Sequence, residues 1–479
     1  MVVLAKKEAY ENSRLVMASY GFNQFFSQWI TGPFGLLVFF FYEVEIGLDV
    51  VLVGVAFIIF SLWNAVNDPL TGFIMEHLNM PWEAKWGKRF PWVVLGAIPW
   101  LFTYLAIFLV PLNWDPVTDQ WLIFAWALIS VCLYDTIFTL WNVNATALFP
   151  DKFRGLNERR TATSFGTFLG LMGIVAGSIV APLFIIKGVP ESYRVSAWML
   201  VGIGIILFFG MVPGMFENSE MRSRFQEFRA KAERIEREPF LKTTRRVVTD
   251  RRFMVKTIYF FGYQSAAVFI SASGAYMITF VIQGDINTLG ILMAMMLVGA
   301  VLSIPFWNYF GQRINDNKKM SIIAGFVMVI TFLPIFFVNG FLFFMIALLL
   351  WGIGLGGQWY MDPPLMGDVL DDLAVRTEKR EAALYYGWTA FFIRLSTSIQ
   401  AIAFAVIHTL TGFVEGAKSY SELESLSATP ELALIGIRLL AAIIPALLVL
   451  ITIIIFWKWY DITPEVVTTN KEKLEELGL

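Results

Sequence analysis

Of the 479 residues, 57% are hydrophobic and only 15% charged, with a mean hydropathy of +0.65, whereas a soluble globular chain carries about 25% charged residues. A net charge of −2 gives no basis for nucleic-acid binding, and a single cysteine, Cys132, excludes an intrachain disulfide. With that cysteine and two histidines far apart in sequence, His77 and His408, no structural zinc site is expected.

The apolar stretches are polar on neither side and run for about 20 residues or more, the length needed to cross a hydrocarbon core of roughly 30 Å. Helices satisfy their own backbone groups in lipid, and the short alternating segments of a membrane β-barrel are not evident. The polar start, Met1 to Arg14, carries no signal-peptide pattern, so the first helix is expected to insert and stay. Spans are expected near 15–42, 49–76, 90–111, 120–148, 161–187 and 194–216. A charged stretch follows, then spans near 253–282, 286–311, 320–338, 340–367, 384–412 and 433–459. The fold class is therefore an all-α membrane protein of twelve transmembrane helices. It divides into a six-helix bundle (1–216), a central loop (217–252), a second six-helix bundle (253–460) and a tail (461–479).

An even number of spans puts both termini on one side. Loops on that side hold 31 of the 36 lysines and arginines. This imbalance makes the termini and the central loop cytoplasmic in a cell-membrane protein. In the central loop, Arg222–Arg237 alternates charges with Phe225, Phe228 and Ile235, as an amphipathic helix on the inner membrane surface would; a solvated tether is the alternative. The basic loop after the second span (Lys85, Lys88, Arg89) has a counterpart after the eighth (Arg313, Lys318, Lys319). Six spans, a connector and six spans suggest repeated bundles with a substrate site between them.

The stretch Trp63-Asn-Ala-Val-Asn-Asp-Pro69, then Gly72, then Trp86-Gly-Lys-Arg-Phe-Pro-Trp92 resembles the glycoside–pentoside–hexuronide:cation symporters of the major facilitator superfamily, the group of melibiose permease. Ser19-Tyr-Gly-Phe22, Ala147-Leu-Phe-Pro150 with Glu158-Arg159, Asp368-Val-Leu-Asp-Asp372, Glu378-Lys-Arg-Glu381, Tyr386-Gly387, Gly436-Ile-Arg-Leu-Leu440 with Pro445, and Tyr460-Asp-Ile-Thr463 agree with it. The resemblance covers nearly the whole chain and implies the major facilitator fold. The same branch includes lysolipid transporters, so it does not fix the substrate.

Ionisable side chains in a bilayer cost several kcal/mol unless paired or hydrated. Asn64 and Asp68 are four apart and share a helix face, with Asn67 beside them. The resemblance implies two aspartates at the positions of Asn64 and Asp68, together binding Na⁺, Li⁺ or H⁺; here the first is an amide. It also places Asn142 where a third aspartate serves cation and sugar, Gln28 and Ser27 where a sugar-binding aspartate and a lysine stand, and Gly166 near an expected arginine. Asp135, seven residues before Asn142 and pointing roughly the same way, is expected to compensate if it faces the interior with Asp68. A packing role for Asp135 is the alternative. Cation coupling is thus assigned to Asp68, Asn64, Asn142 and Asp135, with Na⁺ at Asp68 the one metal considered.

In the second half, Arg394 stands at the position of a family lysine, and Asp362 is expected to pair with it at similar depth. Arg438 reads as a structural residue that snorkels. Candidate substrate residues are Tyr20, Asn23, Gln28, Trp29, Thr139, Trp141, Tyr263, Gln264, Gln358, Trp359, Arg394 and Asp362, since sugars are held by hydrogen-bonding groups beside an aromatic face. Aromatics make up 16% of the chain, so most of them must pack. Gly166, Gly170, Gly173 and Gly177 recur at helical spacing and read as a close-packing face; the Gly354–Gly357 cluster serves bending or packing. Lys88, Arg89, Glu158, Arg159, Asp368, Asp372 and Arg380 are expected to gate through ion pairs across the two halves.

The expected function is secondary active transport of a sugar or glycoside coupled to H⁺ or Na⁺ by alternating access, in a monomer whose partners are the solute and membrane lipids. A lysolipid or other amphiphile carrier is the alternative within transport, and a non-transporting membrane sensor or structural protein the alternative outside it. No cofactor is expected, and no nucleophile motif, phosphate loop or metal cluster suggests an enzyme.

Overall fold

In the computed structural model, which describes residues 12–77, 80–153, 156–223, 240–377 and 382–477, the apolar stretches are helices and no strand occurs among the described residues. Twelve segments are long and apolar enough to span: Arg14–Glu45, Val50–Asp68, Phe90–Ile107, Gln120–Phe149, Thr161–Phe184, Pro190–Met215, Arg251–Ile282, Ile286–Ile314, Asn317–Phe336, Phe341–Thr377, Phe391–Thr411 and Pro430–Trp459. Many of their apolar side chains are exposed, as at Leu302, Phe306 and Leu447, because lipid, unlike water, does not drive them inward.

Two elements differ from the sequence expectation. The tenth helix runs to Thr377, about three turns beyond the predicted 367, so Asp368 and Asp372 lie on a helix and not in a loop. The tail forms a further helix, Pro464–Leu477, docked on the tenth through Asn470, whose amide donates to Asp372 at 3.4 Å. The expected amphipathic helix at Arg222–Arg237 lies mostly outside the described residues; a helix at Phe240–Thr249 follows it.

The chain forms two compact units, one of Met1–Val38 with Leu62–Glu236, the other of Phe39–Ser61 with Arg237–Leu479. In the first, an aromatic core joins the first, third and fourth spans: Trp141 meets Phe26 at 5.4 Å and Trp100 at 5.4 Å. The fifth span lies hard against the first. A Cβ on Gly173 would come within 2.5 Å of the Phe25 carbonyl oxygen, and one on Gly177 within 2.4 Å of that of Trp29. In the second unit the eighth and tenth spans meet backbone to backbone. A Cβ on Gly299 would strike the Leu349 oxygen at 2.0 Å, and one on Gly352 the Met296 oxygen at 2.1 Å. Such approach maximises van der Waals contact, the main packing force where surroundings are as apolar as the interface.

The first and seventh spans both end in a π-helical turn, Phe41–Glu45 and Met277–Ile282. These spans hold corresponding places in the six-plus-six pattern. A wider turn re-aims the side chains it carries and is frequent at functional positions.

Candidate functional site

The second and fourth spans carry a continuous polar chain through the first unit. Asn64 Nδ2 donates to Asp135 Oδ1, and Asn67 Nδ2 donates to Asp135 Oδ2 and to Thr139 Oγ1, both at 3.1 Å. The Thr139 hydroxyl donates in turn to Asp68 Oδ1 at 2.6 Å. Thr71 supports Asn67 from one turn along, its hydroxyl donating to Oδ1 at 3.3 Å. The helical repeat explains the assembly: 64, 67, 68 and 71 share one face of the second helix, and 135 and 139 are one turn apart on the fourth.

Asn64, Asn67, Asp135 and Thr139 are buried and Asp68 half-buried. Asn64 Oδ1 is enclosed with no hydrogen-bond partner among the described residues, so the site presents an uncommitted oxygen next to two carboxylates. Hard oxygen donors of this kind suit an alkali cation or a proton. Trp63, whose indole donates to Thr136 Oγ1 at 2.9 Å, ties the same two helices alongside. Asn142 is half-buried on the fourth helix.

The other candidates in this unit have these surroundings. The Tyr20 hydroxyl donates to the Ala145 carbonyl at 2.9 Å, Asn23 to that of Tyr20 at 2.8 Å and Trp29 to that of Leu200 at 3.0 Å. Trp141 has no exposed surface and belongs to the aromatic core. Gln28 is half-buried, accepts from Thr31 at 3.0 Å and lies near Gly170.

In the second unit, Asp362 pairs with Lys256 at 2.9 Å and not with Arg394 as expected. Lys256 lies on the seventh span, where its ammonium also sits over the Phe260 ring at 4.6 Å. Sequence reading missed it because a lysine five residues into a helix counts as a loop charge. The Arg394 carbonyl accepts from the Ser61 hydroxyl at 2.9 Å. Gln358 is buried, accepting from the Tyr259 hydroxyl at 2.5 Å, and Tyr263 packs edge-on against Tyr259 and Phe260. Half-buried Trp359 donates to Gln264 at 3.4 Å. Arg438 clamps Phe336 and Asn339, each at 2.7 Å.

Several residues expected to gate make contacts within their own unit. Glu217 accepts from the backbone of Lys88 (3.2 Å), Arg89 (2.6 Å) and Phe90 (3.0 Å), placing an anion at the start of the third span, where the helix dipole favours one. Gly87, with φ +91°, permits this; a Cβ there would lie 2.4 Å from the Glu217 carboxylate. Glu158 accepts from Asn12 at 2.6 Å. Asp372 pairs with Arg252 and Arg376, and Asp368 accepts from Asn317 at 2.8 Å. The Arg159 side chain and Arg380 lie outside the described residues.

The family described as "MFS/sugar transport protein" matches residues 19–464. The chain is 24% identical over 456 residues to the sodium-dependent lysophosphatidylcholine symporter 1 of Gallus gallus, covering 87% of this chain and 80% of that protein. It is 24% identical over 176 residues to the isoprimeverose transporter of Lactiplantibacillus pentosus, covering 36% and 35%. The crystal structure of the nucleoside transporter NupG shares the fold, with a TM-score of 0.60 at 12% identity over 92% of this chain and 99% of the other.

Proposed function

The chain belongs to the family of MFS/sugar transport proteins, and from that premise we propose that this multi-pass membrane transporter is a symporter coupling Na⁺ or H⁺ to a sugar or glycoside by alternating access. The polar chain from Asn64 through Asp135, Asn67 and Thr139 to Asp68 carries the reading. The resembling melibiose-permease branch implies two carboxylates on the second helix. Here one of them is Asn64, and Asp135 returns the second carboxylate from the neighbouring helix. The buried Asp135 and the half-buried Asp68, linked through Asn67 and Thr139, are costly as two carboxylates until a cation or proton neutralises them, so binding of the ion and the state of this helix pair are coupled. The lysine and arginine distribution supports cytoplasmic termini.

The test is uptake into proteoliposomes of labelled glycosides, with imposed sodium or proton gradients. Gradient-driven uptake is expected, with a loss of about tenfold or more in both Asp68→Asn and Asp135→Asn, the effect of about 1.4 kcal/mol or more of lost ion binding. Uptake indifferent to any gradient eliminates symport, and full activity in both variants removes the ion site.

A lysolipid substrate is the second reading. Relatives named as lysophosphatidylcholine symporters match 87% of the chain, whereas the sugar transporter matches 36%. Gln28, Asn142 and Gly166 also leave uncharged the positions where the resemblance implies sugar-binding charges. Sodium-driven uptake of labelled lysophosphatidylcholine without glycoside uptake in the same vesicles selects it.

A further inference from the structure

A second group of titratable side chains is enclosed in the second unit, apart from the polar chain above. Glu43 lies in the π-helical turn that ends the first span, Tyr276 stands immediately before that of the seventh, and His408 is three residues from the end of the eleventh. Glu43 and His408 have no exposed surface and Tyr276 only 1%. His408 Nδ1 lies 2.6 Å from Glu43 Oε1, and the Tyr276 hydroxyl donates to Glu43 Oε2. Gly416 N–H donates to the Glu43 carbonyl at 3.0 Å, bringing the loop after the eleventh span onto the same turn. Phe413 stacks on the imidazole at 4.5 Å, and Phe404 covers it at 5.4 Å.

The proton count follows from these contacts. A nitrogen and an oxygen 2.6 Å apart share one proton. With Glu43 ionised and His408 neutral, that proton is the imidazole's own and the enclosure carries one negative charge. One further proton makes it neutral overall, as an imidazolium–carboxylate pair or as an imidazole beside a carboxylic acid. A net charge enclosed among aromatic rings is costly unless it is paired. The titratable groups on the adjoining segments are Glu45 on the same turn, Asp49 after it, and Glu415 and Lys418 in the covering loop. Burial, and then the charges of Glu43 and Asp49, push the Glu415 carboxyl above its ordinary range. No lysine or arginine pairs with Glu43 among the described residues.

We propose that Glu43 and His408, braced by Tyr276, form a proton-binding site that latches together the ends of the first, seventh and eleventh spans when occupied. The proton is held while the site is dry. Parting of these ends admits water, removes the penalty on net charge and releases the proton to the side on which they open. Acid therefore favours the joined arrangement and alkali the parted one. The latch's place in a transport cycle rests on the symporter reading; its proton binding does not.

Two measurements that need no transported solute test it. In a His77→Gln protein, His408 is the sole histidine, so histidine-selective NMR in nanodiscs reports it alone. An imidazole signal that changes with pH across the range scanned is expected. Glu43→Gln is expected to lose the acid-side signal, and the milder Tyr276→Phe to move the midpoint by about half a unit or more. Spin labels at Val51 and Ile291, both exposed, in a Cys132→Ser background should lie closer at the acid end, and His408→Gln should abolish that change. An imidazole unchanged across the range in the folded protein, or label distances indifferent to pH, overturns the latch. Failure to move any glycoside leaves both readouts intact, so the two readings fail separately.

Discussion

Lys152 extends its ammonium to the carbonyls of Gly214 at 2.7 Å and Phe216 at 2.9 Å, closing the end of the fourth helix on the exit of the sixth. Burial pulls it down to about 8, with nearby Glu217 opposing the fall. The unfolded chain, with an ordinary lysine value, binds more protons between that point and about pH 10.5, so stability rises with pH across the window. Thermal unfolding of the solubilised protein should show a gain of about 2 kcal/mol from about pH 7.5 to 9.5, and Lys152→Met should lack it. The Lys256–Asp362 pair makes a second residue-scale prediction. Asp362→Asn alone strands a buried ammonium and should cost about 3–5 kcal/mol, whereas Lys256→Met with Asp362→Asn should recover most of it; equal losses in the single and double variants would refute the pairing. Residues in the spans were legible when their charge was costly, as Asp68, Asp135 and Asp362 were. Glu43 was missed because the predicted first span stopped at 42, one residue short of it.

Helix packing turns on which glycines meet backbone. Gly173 and Gly177 have no room for a Cβ, while one on Gly166 would meet the Gln24 side chain at 3.6 Å and the Gly21 Cα at 4.0 Å, both ordinary contacts. Alanine at 173 or 177 should therefore cost about 1–3 kcal/mol by overpacking, and alanine at 166 little, as melting temperatures in detergent will show. Sequence spacing marked all four glycines as one face and could not rank them, because rank depends on the depth of the neighbouring helix. Gly354 and Gly357 are decided the same way: a Cβ would strike the Met328 backbone at 2.5 Å and the Trp307 ring at 2.5 Å, so they serve packing. The terminal helix Pro464–Leu477 escaped notice because its composition is polar, and only its docking through Asn470 gives it a place.

At the scale of the molecule, orientation is a matter of where lysine and arginine fall, and it is testable without substrate. Cysteines placed at Glu472 and at Ser421 in a Cys132→Ser background should differ in intact cells. The first is expected to be protected from a membrane-impermeant maleimide and the second labelled; the reverse pattern would invert the topology. Twelve spans and kinship with the major facilitator transporters were determined by the sequence alone, because hydrophobic length is a local property that lipid reads directly. Tertiary structure alone decided the partners. Asp135 joined Asn64 and Asn67, Asp362 took Lys256, and Glu43 met a histidine 365 positions away. A buried charge is satisfied by whichever group packing brings within about 3 Å, and that distance is set between helices, not along the chain.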